Sequence, residues 1–377
     1  MRMQNYKKKL FLASTLPFQV MFVLFLSQNP AWIEVFYSNG FYIYIANFLR
    51  IILGWIPFSM GDILGLFFIF LLIKGVYHFI KKLFQNNLKE NFSDNLKEYF
   101  KIISLQFLSL ITIVSVLYFC FYAFWGLNYF REPLAKNLNL QQATYTTNQL
   151  VETTQKIVYQ LNKTHFEITK NDTLKVQVPY NTTEIYDLAT NGYQNLAKKY
   201  PQLAYKNPSI KSSLVSLLQS YNGTAGYLNP ITGEAQINNQ IPKTSFPATT
   251  CHEMAHQIGW AAENDANFVG FLASVANNDL YFKYSGYRMA YIYCINEIYK
   301  RDKKLSEKIK NTVHKGIYKD FHASFLHWNQ FKNPIEPYLK KGYNSYLKAN
   351  KQEKGINSYS YVVDLLIAYF NKIDKNN

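Results

Sequence analysis

Three apolar stretches in the first third of the chain limit its fold more than any other feature: Leu10–Ser27 (LFLASTLPFQVMFVLFLS), Gly61–Ile80 (GDILGLFFIFLLIKGVYHFI) and Ile102–Gly126 (IISLQFLSLITIVSVLYFCFYAFWG). A helix of roughly 20 apolar residues crosses the hydrocarbon core of a bilayer, and each stretch is near that length. The first also reads as a secretory signal, with Arg2, Lys7, Lys8 and Lys9 ahead of it. No small-x-small cleavage site follows near Gln28–Trp32, so it is expected to stay as a span. Asp62 and Lys74 lie near the ends of the second stretch, where snorkelling lowers their cost.

The distribution of cations sets an expected orientation. Basic residues precede the first span and recur between the second and third (Lys81, Lys82, Lys89, Lys97 and Lys101), whereas the segment between the first two spans carries only Arg50. The positive-inside rule then puts the N-terminus and the 81–101 loop in the cytoplasm and everything after Leu127 on the extracytoplasmic side. Ile43–Pro57 is also apolar but is interrupted by Arg50, and reads as an interfacial or re-entrant piece; were it to span, the orientation would flip. The division expected is a membrane anchor over 1–127, in contact with lipid, and an extracytoplasmic domain over 128–377 of an inner-membrane protein.

The formal net charge of +16 admits a nucleic-acid partner or an anionic membrane surface. No basic block interleaved with aromatics and no nucleic-acid module is visible, which leaves the membrane reading. Three cysteines are too few for a disulfide framework, and whether Cys251 and Cys294 pair is left open. Sequons such as Asn181-Thr182-Thr183 matter only where the host glycosylates them.

Beyond Asn128 the pattern predicts a mainly helical domain. Helical periodicity runs through Thr147–Leu161, Thr183–Tyr200, Thr249–Gln257, Ala262–Asn277, Tyr284–Tyr299, Leu305–Leu326 and Tyr359–Phe370. Ser213–Leu218 is apolar, and 220–247 is rich in Gly, Pro, Asn and Thr, the composition of turns and short strands. Within it, 226–239 is either a plain hairpin or an exposed strand edge able to hold an extended peptide by main-chain hydrogen bonds.

The chemistry concentrates in Phe246–Phe271, FPATTCHEMAHQIGWAAENDANFVGF. His252 and His256, four apart, stack on one helix face and can reach one tetrahedral ion. Glu253 sits roughly 100° around the helix, better placed for a metal-bound water than for the metal, which is where a general base belongs. Gly259 can end the helix, and the next one carries Glu263, the expected third ligand, with Asp265 as runner-up. Asn267 shares a face with Glu263 and is expected to hold it by a hydrogen bond. Two histidines and one carboxylate leave a fourth position for water, as in catalytic zinc sites. Thr250-x-x-Glu253 also fits a capping box, which would make Glu253 a structural residue. A chance HExxH in a chain with seven histidines is expected at below about one per cent, so the metal reading is preferred.

The remaining histidines read as surface or packed residues: His78 at a membrane boundary, His165 in a polar loop, and His314, His322 and His327 on or near helices. Glu234 is a candidate extra polar group in the cleft, and Tyr227 or Tyr287 a candidate oxyanion donor, though 31 tyrosines leave that choice open.

HEMAHQIG followed by ENDANF resembles the zincin metallopeptidases of the gluzincin kind, in which a helix reading E-x-x-A-D or E-x-x-A-N supplies the third ligand. Glu263, Ala266 and Asn267 match that pattern, with Asn267 where Asp is often found. The gap from His256 to Glu263 is short for gluzincins and closer to metzincins, but Ala262 stands at the metzincin histidine position. The three spans together with FWGLNYFREPL, GYLNPITGEAQIN, the HExxH segment and YLKANKQEKGINSYSYVVDLLIAYF resemble a bacterial membrane family classed as a domain of unknown function. These resemblances imply membrane location, one zinc ion and peptidase-like chemistry, and bring no substrate.

The expectation is therefore a membrane-anchored zinc metallopeptidase acting on a peptide or protein, with Glu253 as general base. The alternatives are a non-catalytic zinc-binding sensor or scaffold, and a zinc amidase acting on cell-wall peptides.

Overall fold

The computed structural model describes residues 2–85, 92–141, 144–352, 355 and 361–376. It is mainly α, with a small sheet. The N-terminal part comprises α1 (Arg2–Leu26), α2 (Pro30–Trp32), a π-helical stretch Ile33–Phe41, α3 (Tyr42–Gly54), α4 (Met60–Gln85) and α5 (Phe92–Phe124). Three helices are long and apolar enough to cross a membrane: Gln4–Leu26, Met60–Lys82 and Leu96–Phe124. They coincide with the three apolar stretches.

Helices α1 and α5 pack along each other. Lys9 Nζ donates to Ser109 Oγ at 2.8 Å, and Gln19 Nε2 donates to Ser115 Oγ at 3.0 Å. Polar groups within apolar helices have no water to turn to and so satisfy one another. Helix α4 contacts its neighbours little and most of its large side chains are exposed, but its start is held firmly. Glu234 accepts from the amides of Met60 at 3.1 Å and Gly61 at 2.6 Å, supplying a carboxylate to an uncompensated helix N-terminus. Asp62 accepts from Ser213 Oγ at 2.9 Å, from the Leu214 amide at 2.7 Å and from the Tyr227 hydroxyl. Glu234 is thus wholly buried at the joint with α4, which corrects its expected place in the cleft.

The Arg50-interrupted segment folds as α3, two-faced in its packing. Tyr42, Ala46 and Arg50, spaced by four, are buried, while Tyr44, Phe48, Ile51 and Trp55 are exposed.

The rest of the chain adds α6 (Leu134–Asn137), α7 (Thr147–Thr169), α8 (Thr182–Lys199), β1 (Ile210–Ser212), α9 (Ser216–Asn222), β2 (Gly226–Leu228), β3 (Ala235–Ile237), α10 (Phe246–Gln257), α11 (Glu263–Ala276), α12 (Leu280–Arg301), α13 (Lys303–Lys310), α14 (Lys315–Asn329), α15 (Glu336–Ala349) and α16 (Val362–Asn376). Capping boxes start α7 (Thr146 with Gln149) and α8 (Asn181 with Glu184). The sheet has the order β1-β3-β2, with β1 parallel and β2 antiparallel to β3. Helix α11 runs through the core: Phe268, Val269, Phe271, Leu272 and Ala273 are all about 1% exposed or less. Each large side chain of this kind contributes about 1.5–3 kcal/mol on burial. Gly192 lets α8 lie against α11, since a Cβ there would come within 2.2 Å of the Ala273 carbonyl oxygen.

Two expectations change, and the state of two cysteines, left open by the sequence, is seen. The single helix Leu305–Leu326 is two, α13 and α14, because the buried Val313 turns inward and Asn162 Oδ1 takes the His314 amide at 3.0 Å. His165 lies on α7, not in a loop; its buried ring meets His314 Nδ1 at 3.1 Å and the Leu174 carbonyl at 2.9 Å. Cys251 and Cys294 are both free and buried. The helix expected at Tyr359–Phe370 begins outside the described residues, and α16 covers its remainder.

Candidate metal centre

Helix α10 opens at Phe246 with Pro247 in its first turn, where a missing amide costs nothing. Thr250 is therefore inside the helix, its Oγ1 donating to the Phe246 carbonyl at 3.0 Å, and the capping-box alternative for Glu253 is not formed. The helix ends where expected. Gly259 has φ +89, and a Cβ there would meet the Tyr42 ring at 3.1 Å, so the turn needs glycine twice over. The turn brings Trp260 and Ala261 into the core and starts α11 at Glu263. Gly270 lets the two helices close up, since a Cβ there would lie 2.9 Å from the His252 Cα.

This crossing brings His252, His256 and Glu263 together. Glu263 Oε2 lies 3.3 Å from His252 Nε2 and 3.8 Å from His256 Nε2, and one ligand atom from each residue falls within 4.8 Å of the others. Ligands of a tetrahedral ion about 2.1 Å away stand roughly 3.4 Å apart, so the spacing suits such an ion. His256 Nδ1 pairs with the Trp260 carbonyl at 2.7 Å, which fixes that nitrogen as a donor and turns Nε2 toward Glu263, where it can hold a proton or a metal ion. His252 Nδ1 and Glu253 Oε2 are buried without hydrogen-bond partners. The donor set, N, N and O, is one that divalent metal ions bind.

The electrostatics favour a cation. Burial opposes ionisation of Glu263, yet the two imidazoles overcome it and hold its carboxyl well below the usual range. For His256, burial works against the charged form, but Glu263 and Glu253 outweigh it and push the ring up to about 9. Burial raises the Glu253 carboxyl. Two carboxylates in one buried pocket thus draw positive charge to it.

The site opens into a cleft of about 620 Å³ bounded by the end of α5, β2, α10, α11, α12 and α15. Glu253 lies in its wall beside β2, where a Cβ on Gly226 would come within 2.7 Å of Glu253 Oε1. Asn267 lines the same cleft, but its Nδ2 has no hydrogen-bond partner, and Glu263 Oε1 instead accepts from the Tyr343 hydroxyl at 2.6 Å. Asp265 stands outside the ligand group, near Arg131 and Glu34 and taking a hydrogen bond from the Leu134 backbone; burial pushes it up to about 7. Tyr227 lines the cleft with its hydroxyl committed to Asp62, and Tyr287 faces a different groove beside Phe271 and Tyr369.

Sequence reasoning missed two sets of contributors. One is the aromatic wall of Tyr293, Tyr343 and Tyr346. The other comes from the membrane-proximal part. Trp125 Nε1 donates to the His256 carbonyl at 3.2 Å and the Tyr42 hydroxyl to the Gln257 carbonyl at 2.9 Å. Arg131, paired with Glu34 at 2.7 Å, donates to the Gly259 carbonyl at 3.0 Å and stacks over Trp260 at 3.7 Å. The conspicuous cluster FWGLNYFREPL was the available signal.

The model of a family described as "Protein of unknown function (DUF3810)" matches residues 37–367. No curated protein and no solved structure matches the chain.

Proposed function

The chain belongs to the DUF3810 family, and from that premise we propose that it is an integral membrane zinc metallopeptidase whose active site faces the extracytoplasmic side. The observation that carries this reading is the convergence of His252, His256 and Glu263 with Glu253 beside them in one cleft. A zinc ion held there would supply Lewis acidity and a readily deprotonated water. Glu253 takes the proton of the attacking water and passes it to the departing amine; its burial raises its basicity toward the range a general base needs. Edge strand β2, antiparallel to β3 and next to Glu253, is placed to align an extended peptide. The short gap between His256 and Glu263 keeps the zincin likeness at the level of the site. The orientation rests on the cations flanking the spans.

The test compares wild type with Glu253→Gln for zinc content and for cleavage of a mixed peptide library and of cell-wall fragments. The proposal requires that zinc stays and peptide cleavage disappears. Cleavage confined to wall fragments would favour the amidase alternative, and zinc without turnover in wild type the sensor.

A further inference from the structure

Resting on the peptidase reading, we infer that the substrate is a membrane-tethered polypeptide, cut within a few residues of where it leaves the bilayer or its lipid anchor. Two elements suited to meet the bilayer fix the height of the site. The first is α5. Phe121 belongs to the last turn of the apolar helix Leu96–Phe124 and lines the same cleft as Glu253. Trp125, one turn on, also lines it; its ring lies 6.0 Å from that of His256. Tyr118, Tyr122, Trp125 and Tyr129 gather at this helix end, the composition of a membrane–water boundary.

The second is α3. Its exposed face carries Tyr44, Phe48 and Ile51, and Trp55 just past its C-terminal end is 78% exposed, an apolar stripe suited to lying in the bilayer interface. Its buried face carries Tyr42, bonded to the Gln257 carbonyl at the C-terminal end of the HExxH helix. Both elements thus grip the same end of α10, and the site cannot rise from the surface without breaking buried hydrogen bonds.

The distances set the reach. Phe124 ends the apolar span, Trp125 is the next residue, and the His256 ring is 6.0 Å from the Trp125 ring. Because Trp125 directly follows the apolar span, the ligands lie within about 10 Å of its end, a distance that an extended chain covers in about three residues. A polypeptide emerging from the bilayer beside α5 meets the aromatic floor of the cleft first and Glu253 next.

The test uses the full-length protein with zinc in phosphatidylethanolamine–phosphatidylglycerol vesicles. A random library of 20-residue peptides is presented free, or doubly acylated at either terminus, and the cuts are mapped by mass spectrometry. Tethering raises the rate for any membrane enzyme by concentrating its substrate, so the position of the cut is the readout. The inference expects cuts in the tethered library to cluster about three to six residues from the anchor, with at least a tenfold excess over distal positions. Cuts spread evenly along tethered peptides, with free peptides cleaved as well, would overturn the inference while leaving the peptidase reading intact. No cleavage of either library would overturn both.

Discussion

Tyr343, eighty residues downstream of Glu263, donates its hydroxyl to the Glu263 carboxylate at 2.6 Å. Helix α15 thereby orients one oxygen of the acid while the other faces His252 and His256. Partners of this kind typically contribute 10–100-fold to metal affinity. Tyr343→Phe should weaken zinc binding by about that factor, measured by chelator competition, with little change in melting temperature, since α15 is mostly exposed.

The assignment of the third ligand separates two acids on one helix. Glu263→Gln should lose stoichiometric zinc, whereas Asp265→Asn should keep it, because Asp265 lies outside the ligand group. Elemental analysis of both variants decides the matter; the reverse pattern would move the site one face around α11.

Gly226 touches Glu253 where any side chain would intrude, at 2.7 Å from Oε1. Gly226→Ala should displace the carboxylate and lower the rate roughly 100-fold, the usual consequence of misplacing a reacting group by about 1 Å. Zinc content should hold. Loss of zinc together with activity would show that β2 supports the ligands rather than the base.

The Glu34–Arg131 pair joins the membrane-proximal helices to the turn after α10, with side chains 11% and 6% exposed. Glu34→Gln leaves Arg131 buried without its partner and should cost about 3–5 kcal/mol of stability. The pair also has a pH signature. Burial alone would raise the Glu34 carboxyl, but Arg131 and Asn39 prevail and hold it below its ordinary value of 4.5. A depressed carboxyl contributes stability above the unfolded-state value and loses it as pH falls through the folded-state value. The thermal stability of wild type should therefore fall as pH drops below about 4.5, and Glu34→Gln should show a shallower acid limb.

What the sequence disclosed was local. Apolar length marked the spans, periodicity marked most helices, and the spacing of His252, Glu253, His256, Gly259 and Glu263 marked a centre that depends on two successive helices and one turn. What it concealed was tertiary. Nothing near Tyr343 distinguishes it among 31 tyrosines, because its role arises from α15 folding over α11. Glu234 looked like a cleft residue because the joint between β3 and α4 spans more than 170 residues. His165 looked like a loop residue because its neighbours are polar, yet α7 continues past it to Lys170, which ends the helix in the left-handed region at φ +53. The part that upstream residues play in the site was hidden for the same reason: Tyr42, Trp125 and Arg131 reach carbonyls at or just after the end of α10 from more than 100 residues away.

The central claim is that two imidazoles and one carboxylate hold a divalent cation in the cleft. Anomalous scattering at the zinc edge from crystals of the full-length protein, backed by elemental analysis, tests it most directly. The account predicts one zinc per chain, with a single peak bounded by His252 Nε2, His256 Nε2 and the Glu263 carboxylate, and its loss in His256→Ala. Wild-type protein purified with zinc present that binds none, or binds it elsewhere, would contradict the account.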